Sequence, residues 1–95
     1  MAYAVVAHYR CAADDAGTVR DALLKMREFT LEEPANVAYE VHAEADVAGG
    51  FVLYEVYADR AGFDAHCASA HFAEFIVGVV RPLLRERTVT FAEVL

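Results

Sequence analysis

The stretch NVAYEVHAEADVAGGFVLYEVYA, Asn36 to Ala58, reads as two β-strands joined by a tight turn. From Asn36 to Glu44, Val37, Tyr39, Val41 and Ala43 fall on one side and Glu40, His42 and Glu44 on the other, the two-residue period of a half-buried strand. The segment ADVAGG supplies paired glycines, whose backbone freedom suits a hairpin turn. Phe51 to Ala58 returns as a strand with both faces largely apolar, interrupted by Glu55. A strand apolar on both sides must be covered on both sides.

Outward from the hairpin, the chain repeats this grammar. Tyr3 to Tyr9 alternates Tyr3, Val5, Ala7 and Tyr9 against Ala4, Val6, His8 and Arg10, and reads as a first strand. Asp14 and Asp15 are placed to cap a helix whose inward face is Val19, Ala22, Leu23, Met26, Phe29 and Thr30, ending before Pro34. Beyond the hairpin, Asp59 is positioned to cap a short helix to about Ala65, and Ser69 a second one carrying Phe72, Phe75, Ile76 and Val79 inward. Gly78 and Pro82 close it, LLRER is expected as its solvated end, and Arg87 to Leu95 alternates as a last strand. The order βαββαβ, in one domain spanning residues 1–95, predicts an α+β, ferredoxin-like sandwich with helices on one face of an antiparallel sheet.

Composition narrows the partners. A 95-residue chain that is 58% hydrophobic carries more apolar surface than so small a core can hide, so a homodimer through the open sheet face, or a large apolar pocket, is expected. The net charge of −7 and scattered Lys and Arg give no footprint for nucleic acid or an anionic membrane. No apolar run approaches the ~20 residues of a membrane span, and MAYAVVAHYR lacks the form of a secretory signal, which predicts a cytoplasmic protein. Cys11 and Cys67 stand far apart without a CxxC partner and read as two reduced thiols.

The stretches EEPANVAYEV and GGFVLYEVYADRAGFDAHCASAHFAEFI together resemble the antibiotic biosynthesis monooxygenase family of dimeric α+β barrels. In that family an acidic-Pro-Gly turn precedes a strand bearing a Tyr. A strand ending Glu-x-Trp follows, then an acidic residue opening a helix, a His, and a Ser-x-His-Phe step. Glu55, Asp59, His66, Ser69, His71 and Phe72 occupy those places. Ala35 replaces the usual Gly and Tyr57 the frequent Trp. The resemblance implies a homodimer with a cavity in each protomer between sheet and helices. It also implies, for some members, oxidation of anthrone-like or quinol-like substrates by molecular oxygen without metal or flavin.

Such an oxygenation needs a base to remove a proton from a phenol or enol, and histidine titrates nearest neutrality. His66 is the candidate base. Glu55, at the end of a buried strand, is read either as its orienter or as half of a structural pair that fastens helix to sheet. His71 is a second candidate catalytic residue, with a helix-capping or rim position as its bland reading. Tyr57, Phe72 and Phe75 are candidate walls for a small apolar substrate, His8 a candidate for the cavity or the dimer core, and Arg81 a candidate holder of an acidic group. No metal and no cofactor are expected: His66 and His71, five apart, lie roughly 140° around a continuous helix and would not share an ion as an i, i+4 pair does. An isomerase of a small carbonyl metabolite and a non-catalytic ligand-binding dimer are the alternatives. Haem degradation ranks lower, because FIVGVV stands where the haem branch carries its ligand.

Overall fold

The computed structural model describes residues 1–95, and its four strands form one antiparallel sheet covered on one face by helices. Strands β1 (Tyr3–Cys11), β2 (Asn36–Ala43), β3 (Gly50–Tyr57) and β4 (Leu84–Glu93) are ordered β2-β3-β1-β4. This is the ferredoxin-like arrangement that βαββαβ requires when each helical crossover skips one strand. Helix α1 (Ala16–Thr30) joins β1 to β2, and α2 (Arg60–Cys67) followed by a π-helix (Phe72–Val80) joins β3 to β4.

Register assigns the faces. Val5 lies opposite Glu55 on β3 and Phe91 on β4, while Glu55 lies opposite Tyr39 on β2, so these four form one row beneath the helices. Ala7, Leu53 and Val89 form the next row, and Tyr9 with Phe51 the one beyond. Val19, Leu23 and Met26 of α1 and Ile76 and Val80 of the π-helix pack onto Ala7, Tyr9, Tyr39, Phe51 and Leu53 as one core. The β2–β3 hairpin closes at Gly49, whose φ of 82° favours glycine. A Cβ there would sit 2.3 Å from the Cys11 carbonyl oxygen, so the position also has no room for one.

Several sequence expectations change. Asp15 is already helical (φ −93°, ψ −6°) and makes no capping bond, because a side-chain cap needs an extended residue; a 3-10 turn over Ala13–Asp15 leads into α1 instead. Phe29, expected inward, is half exposed and stacks on His71 and Phe75. A register shift between Asn36 and Ala38 leaves Val37 unpaired and exposed rather than in the buried row. Gly78 does not end the second crossover: the π-helix runs past it, one α-helical turn (Arg81–Leu83) follows, and LLRER enters β4 at Leu84. Residues four apart share a face of such a helix. Ile76 and Val80 become the fully buried pair, with Phe72, Phe75 and Val79 packed at their margin.

Candidate functional site

Asp59 is extended and its side chain accepts a 2.8 Å hydrogen bond from the Gly62 amide, starting α2 as its sequence suggests. One face of α2 then delivers Phe63 and His66 over the Val5–Glu55 row. α2 ends at Cys67, and Ser69 makes the break: its hydroxyl donates to the His66 carbonyl at 2.7 Å and accepts from the Phe72 amide at 3.2 Å. That break turns His71 back toward His66, their rings lying 6.2 Å apart. The wide angular separation expected for the two histidines holds only along a continuous helix, and the helix is not continuous.

Both histidines converge on Glu33, from the turn before β2. His66 Nδ1 lies 2.9 Å and His71 Nε2 2.5 Å from the same oxygen, Glu33 Oε2. A carboxylate oxygen accepts, so each ring nitrogen carries the proton and donates. This fixes the neutral His66 tautomer, leaving its Nε2 with a free lone pair. Nε2 stands 3.7 Å from Glu55 Oε1, beyond hydrogen-bond length. Glu55, read from the sequence either as the orienter of His66 or as its structural partner, accepts a 2.6 Å hydrogen bond from the Tyr57 hydroxyl, and Glu33 is the carboxylate hydrogen-bonded to the imidazole.

Burial sets the charges. Glu55 is 5% exposed, and desolvation pushes its carboxyl up to about 7; the Tyr57 hydrogen bond works against this and the Glu33 charge adds to it. Burial also lowers the pKa of His66, against the hydrogen bond and charge of Glu33, so the imidazole favours its neutral form. The hydroxyls of Tyr57 and Tyr39 are held un-ionised by burial and by the nearby Glu55.

Beside His66 and Glu55 lies a cavity of about 220 Å³. Its floor is Val5, Ala7, Tyr9, Tyr39, Val89 and Phe91; its roof is Phe63, Cys67, Phe72 and Ile76; and Arg81 and Arg87 stand among its lining residues. Of the residues singled out in the sequence, His66, Glu55, Phe72 and Arg81 line it. His71 sits behind His66, Tyr57 beneath Glu55, and Phe75 against Phe29. His8 does not enter the cavity: it follows Ala7 onto the open sheet face, beside Arg10, Glu44 and Glu86. Glu33 and Arg87 were missed. The signal for Glu33 was its place just before Pro34, the acidic position of the acidic-Pro-Gly turn; Arg87 gave none beyond its charge.

Glu33, His66 and His71 are also the one group of three potential metal ligands whose donor atoms lie close together, within 4.8 Å of one another. The O···N separations of 2.5 and 2.9 Å are those of direct hydrogen bonds. An ion ~2.1 Å from each donor would be gripped at roughly 70–90°, well below tetrahedral, so the rings would have to move to admit it.

The site is thus a small, largely apolar cavity in a ferredoxin-like α+β sheet, with a buried histidine and a buried carboxyl in its wall. The chain belongs to the antibiotic biosynthesis monooxygenase family, whose model matches residues 2–77. It is similar to Rv0793 from Mycobacterium tuberculosis, with 30% identity and a TM-score of 0.91 over 100% of this chain and 96% of that one. It is also similar to a crystal structure described as an antibiotic biosynthesis monooxygenase, with 26% identity and a TM-score of 0.91 over 98% of each chain. A conserved protein of Methanosarcina mazei Go1, 22% identical with a TM-score of 0.90 over 98% of this chain and 92% of that one, shares the fold. A search among curated proteins finds no match. No helix is long and apolar enough to cross a membrane.

Proposed function

We propose that this protein is a cofactor-independent monooxygenase that oxidises a small quinol-like or anthrone-like aromatic with molecular oxygen. The observation that carries the reading is His66. It is a buried imidazole, neutral by desolvation, with Nδ1 hydrogen-bonded to Glu33 and Nε2 beside Glu55 at the wall of an aromatic cavity.

In this reading the substrate hydroxyl donates to Nε2 and passes its proton there, and Glu33 stabilises the resulting imidazolium. The 3.7 Å between Nε2 and Glu55 Oε1 lets one substrate oxygen hydrogen-bond to both groups, with Glu55 as donor while its carboxyl is protonated. The electron-rich anion then gives an electron to oxygen. A ring C–H or CH2 carbon becomes a carbonyl, one oxygen atom enters the product, and the other leaves as water with the two hydrogens the substrate has lost. The substrate is its own reductant, so the balance needs no further electron donor. Phe63, Phe72 and Phe91 hold a flat ring and keep water from the reduced-oxygen intermediates.

The active form is proposed to be a homodimer joined through the open sheet face, where Tyr54 is 39% exposed and Val6 and Val52 remain partly open. Val6 and Tyr54 are cross-strand partners at the centre of that face. An oxygen electrode tests the reading on anthrone and hydroquinone. Equimolar oxygen and substrate consumption is expected. Solvent deuterium entering a carbonyl substrate with no oxygen uptake would replace it with isomerase chemistry on the same base.

A further inference from the structure

Arg81 and Arg87 are out of place in an acidic chain's aromatic cavity. Three of the chain's eight basic residues, Arg81, Arg85 and Arg87, fall within seven positions where the π-helix crossover enters β4. None of the three has a carboxylate within salt-bridge distance; among the chain's basic residues only Arg10 and Lys25 do, so it is their place in the cavity lining that sets Arg81 and Arg87 apart. Arg81 and Arg87 both line the cavity. The Arg81 guanidinium lies 5.3 Å from the centre of the Phe72 ring, and the other side of the relationship is equally close: the Phe72 ring is 5.4 Å from that of His66. One aromatic side chain therefore separates a free cation from the candidate base. Arg87 and Arg81 also reach Tyr9 electrostatically, opposing the burial and the Glu55 charge that raise the pKa of its hydroxyl.

The cavity thus has two chemically opposite ends. Glu55, with His66 beside it, stands in the Val5 row of the sheet; Arg87 stands in the Tyr9 row, two rows along, and the Phe72 ring lies between Arg81 and His66. Its volume of about 220 Å³ is below the ~300–1,000 Å³ typical of pockets for drug-sized ligands, which within the proposed function favours the quinol-like substrates over the larger anthrone-like ones. Guanidinium groups match the planar carboxylate in a two-point hydrogen-bonding geometry.

We infer that the ligand is a small aromatic carboxylate bearing a phenolic hydroxyl, its carboxylate held by Arg81 and Arg87 and its hydroxyl at His66. The inference rests on the proposed function for the hydroxyl end alone; the carboxylate end stands on the arginines. It makes these residues determinants of specificity, selecting an acid over the same ring without its carboxyl group.

Anaerobic titration calorimetry separates the two questions, because it reads binding without turnover. The probes are 2,5-dihydroxybenzoate and hydroquinone, which differ by the carboxyl group, each titrated into wild type and into the Arg81→Gln/Arg87→Gln double variant. Both arginines are exposed, so the variant should fold. Wild type is expected to bind the acid at least about tenfold more tightly than hydroquinone, as charge-assisted hydrogen bonds allow. The double variant should lose that preference. No measurable binding of the acid, no preference in wild type, or a preference that survives the double substitution overturns the inference. A preference that vanishes in the variant, in a protein that consumes no oxygen with either compound, would uphold the anion end and refute the oxygenase reading instead.

Discussion

Glu33 and His66, thirty-three positions apart, are joined by a 2.9 Å hydrogen bond that ties the turn before β2 to the end of α2. The same Glu33 oxygen receives His71, so one carboxylate fixes two rings. Replacing Glu33 by Gln keeps an acceptor for one ring but removes the charge that favours the His66 imidazolium. Glu33→Gln is expected to lower kcat by about 10–100-fold with little change in KM, the pattern of an interaction strongest in the transition state. Since Glu33 raises the His66 pKa, the acidic limb of the kcat/KM profile should move to lower pH. A limb that stays in place would mean that Glu33 serves only to hold the fold.

Glu55 makes stability depend on pH. Its carboxyl is near the ordinary 4.5 when unfolded and about 7 when folded, so the fold holds a proton the unfolded chain has lost. The resulting stabilisation is full below about 4.5 and disappears as pH rises through 7. The lowered pKa of His66 acts in the opposite sense: its contribution is present above 6.5 and falls away toward acid. Glu55→Gln should therefore leave stability nearly unchanged at pH 4.5 and raise it at pH 8, by up to about 3 kcal/mol. Urea melts of both proteins at the two pH values check this, and an equal effect at both would refute it.

Ala35 and Gly62 are coupled through space. A Cβ on Gly62 would lie 2.6 Å from that of Ala35, while the Ala35 carbonyl accepts the Ala58 amide at 2.8 Å, so neither backbone gives way easily. Gly62→Ala alone should destabilise by about 1–3 kcal/mol, and adding Ala35→Gly should restore most of the loss. Simple additivity in thermal melts would contradict the contact.

Much of this was legible beforehand. Alternation located the strands, and the buried face of α1 at Val19, Ala22, Leu23 and Met26 followed from a period of 3.6. The Asp59 cap was likewise visible as an acid before an apolar-spaced run. What stayed hidden depended on distance or on where a helix ends. Glu33 touches nothing local that marks it: its partners are contributed by a crossover more than thirty residues on. Val80, an i+4 neighbour of Ile76, joined the buried set because the helix runs on past Gly78, where the sequence suggested that it ends. Arg87 became part of the cavity because β4 begins at Leu84 and pairs Arg87 with Tyr9, a register the sequence alone did not fix.

The open sheet face gives a prediction about assembly. Tyr54 and Val6 meet at its centre, and covering them would bury apolar surface that a monomer leaves wet. Sedimentation equilibrium at micromolar concentration should return twice the chain mass for wild type and the single mass for Tyr54→Lys. A monomeric wild type would remove the proposed dimer.

The base role of His66 is tested most directly by oxygen consumption in wild type and His66→Ala, assayed with an anthrone or quinol substrate after melts confirm that both are folded. Loss of a positioned base should lower kcat by about 10²–10⁴-fold, with oxygen uptake and substrate loss falling together. Unchanged oxygen uptake by a folded His66→Ala protein would contradict the mechanism.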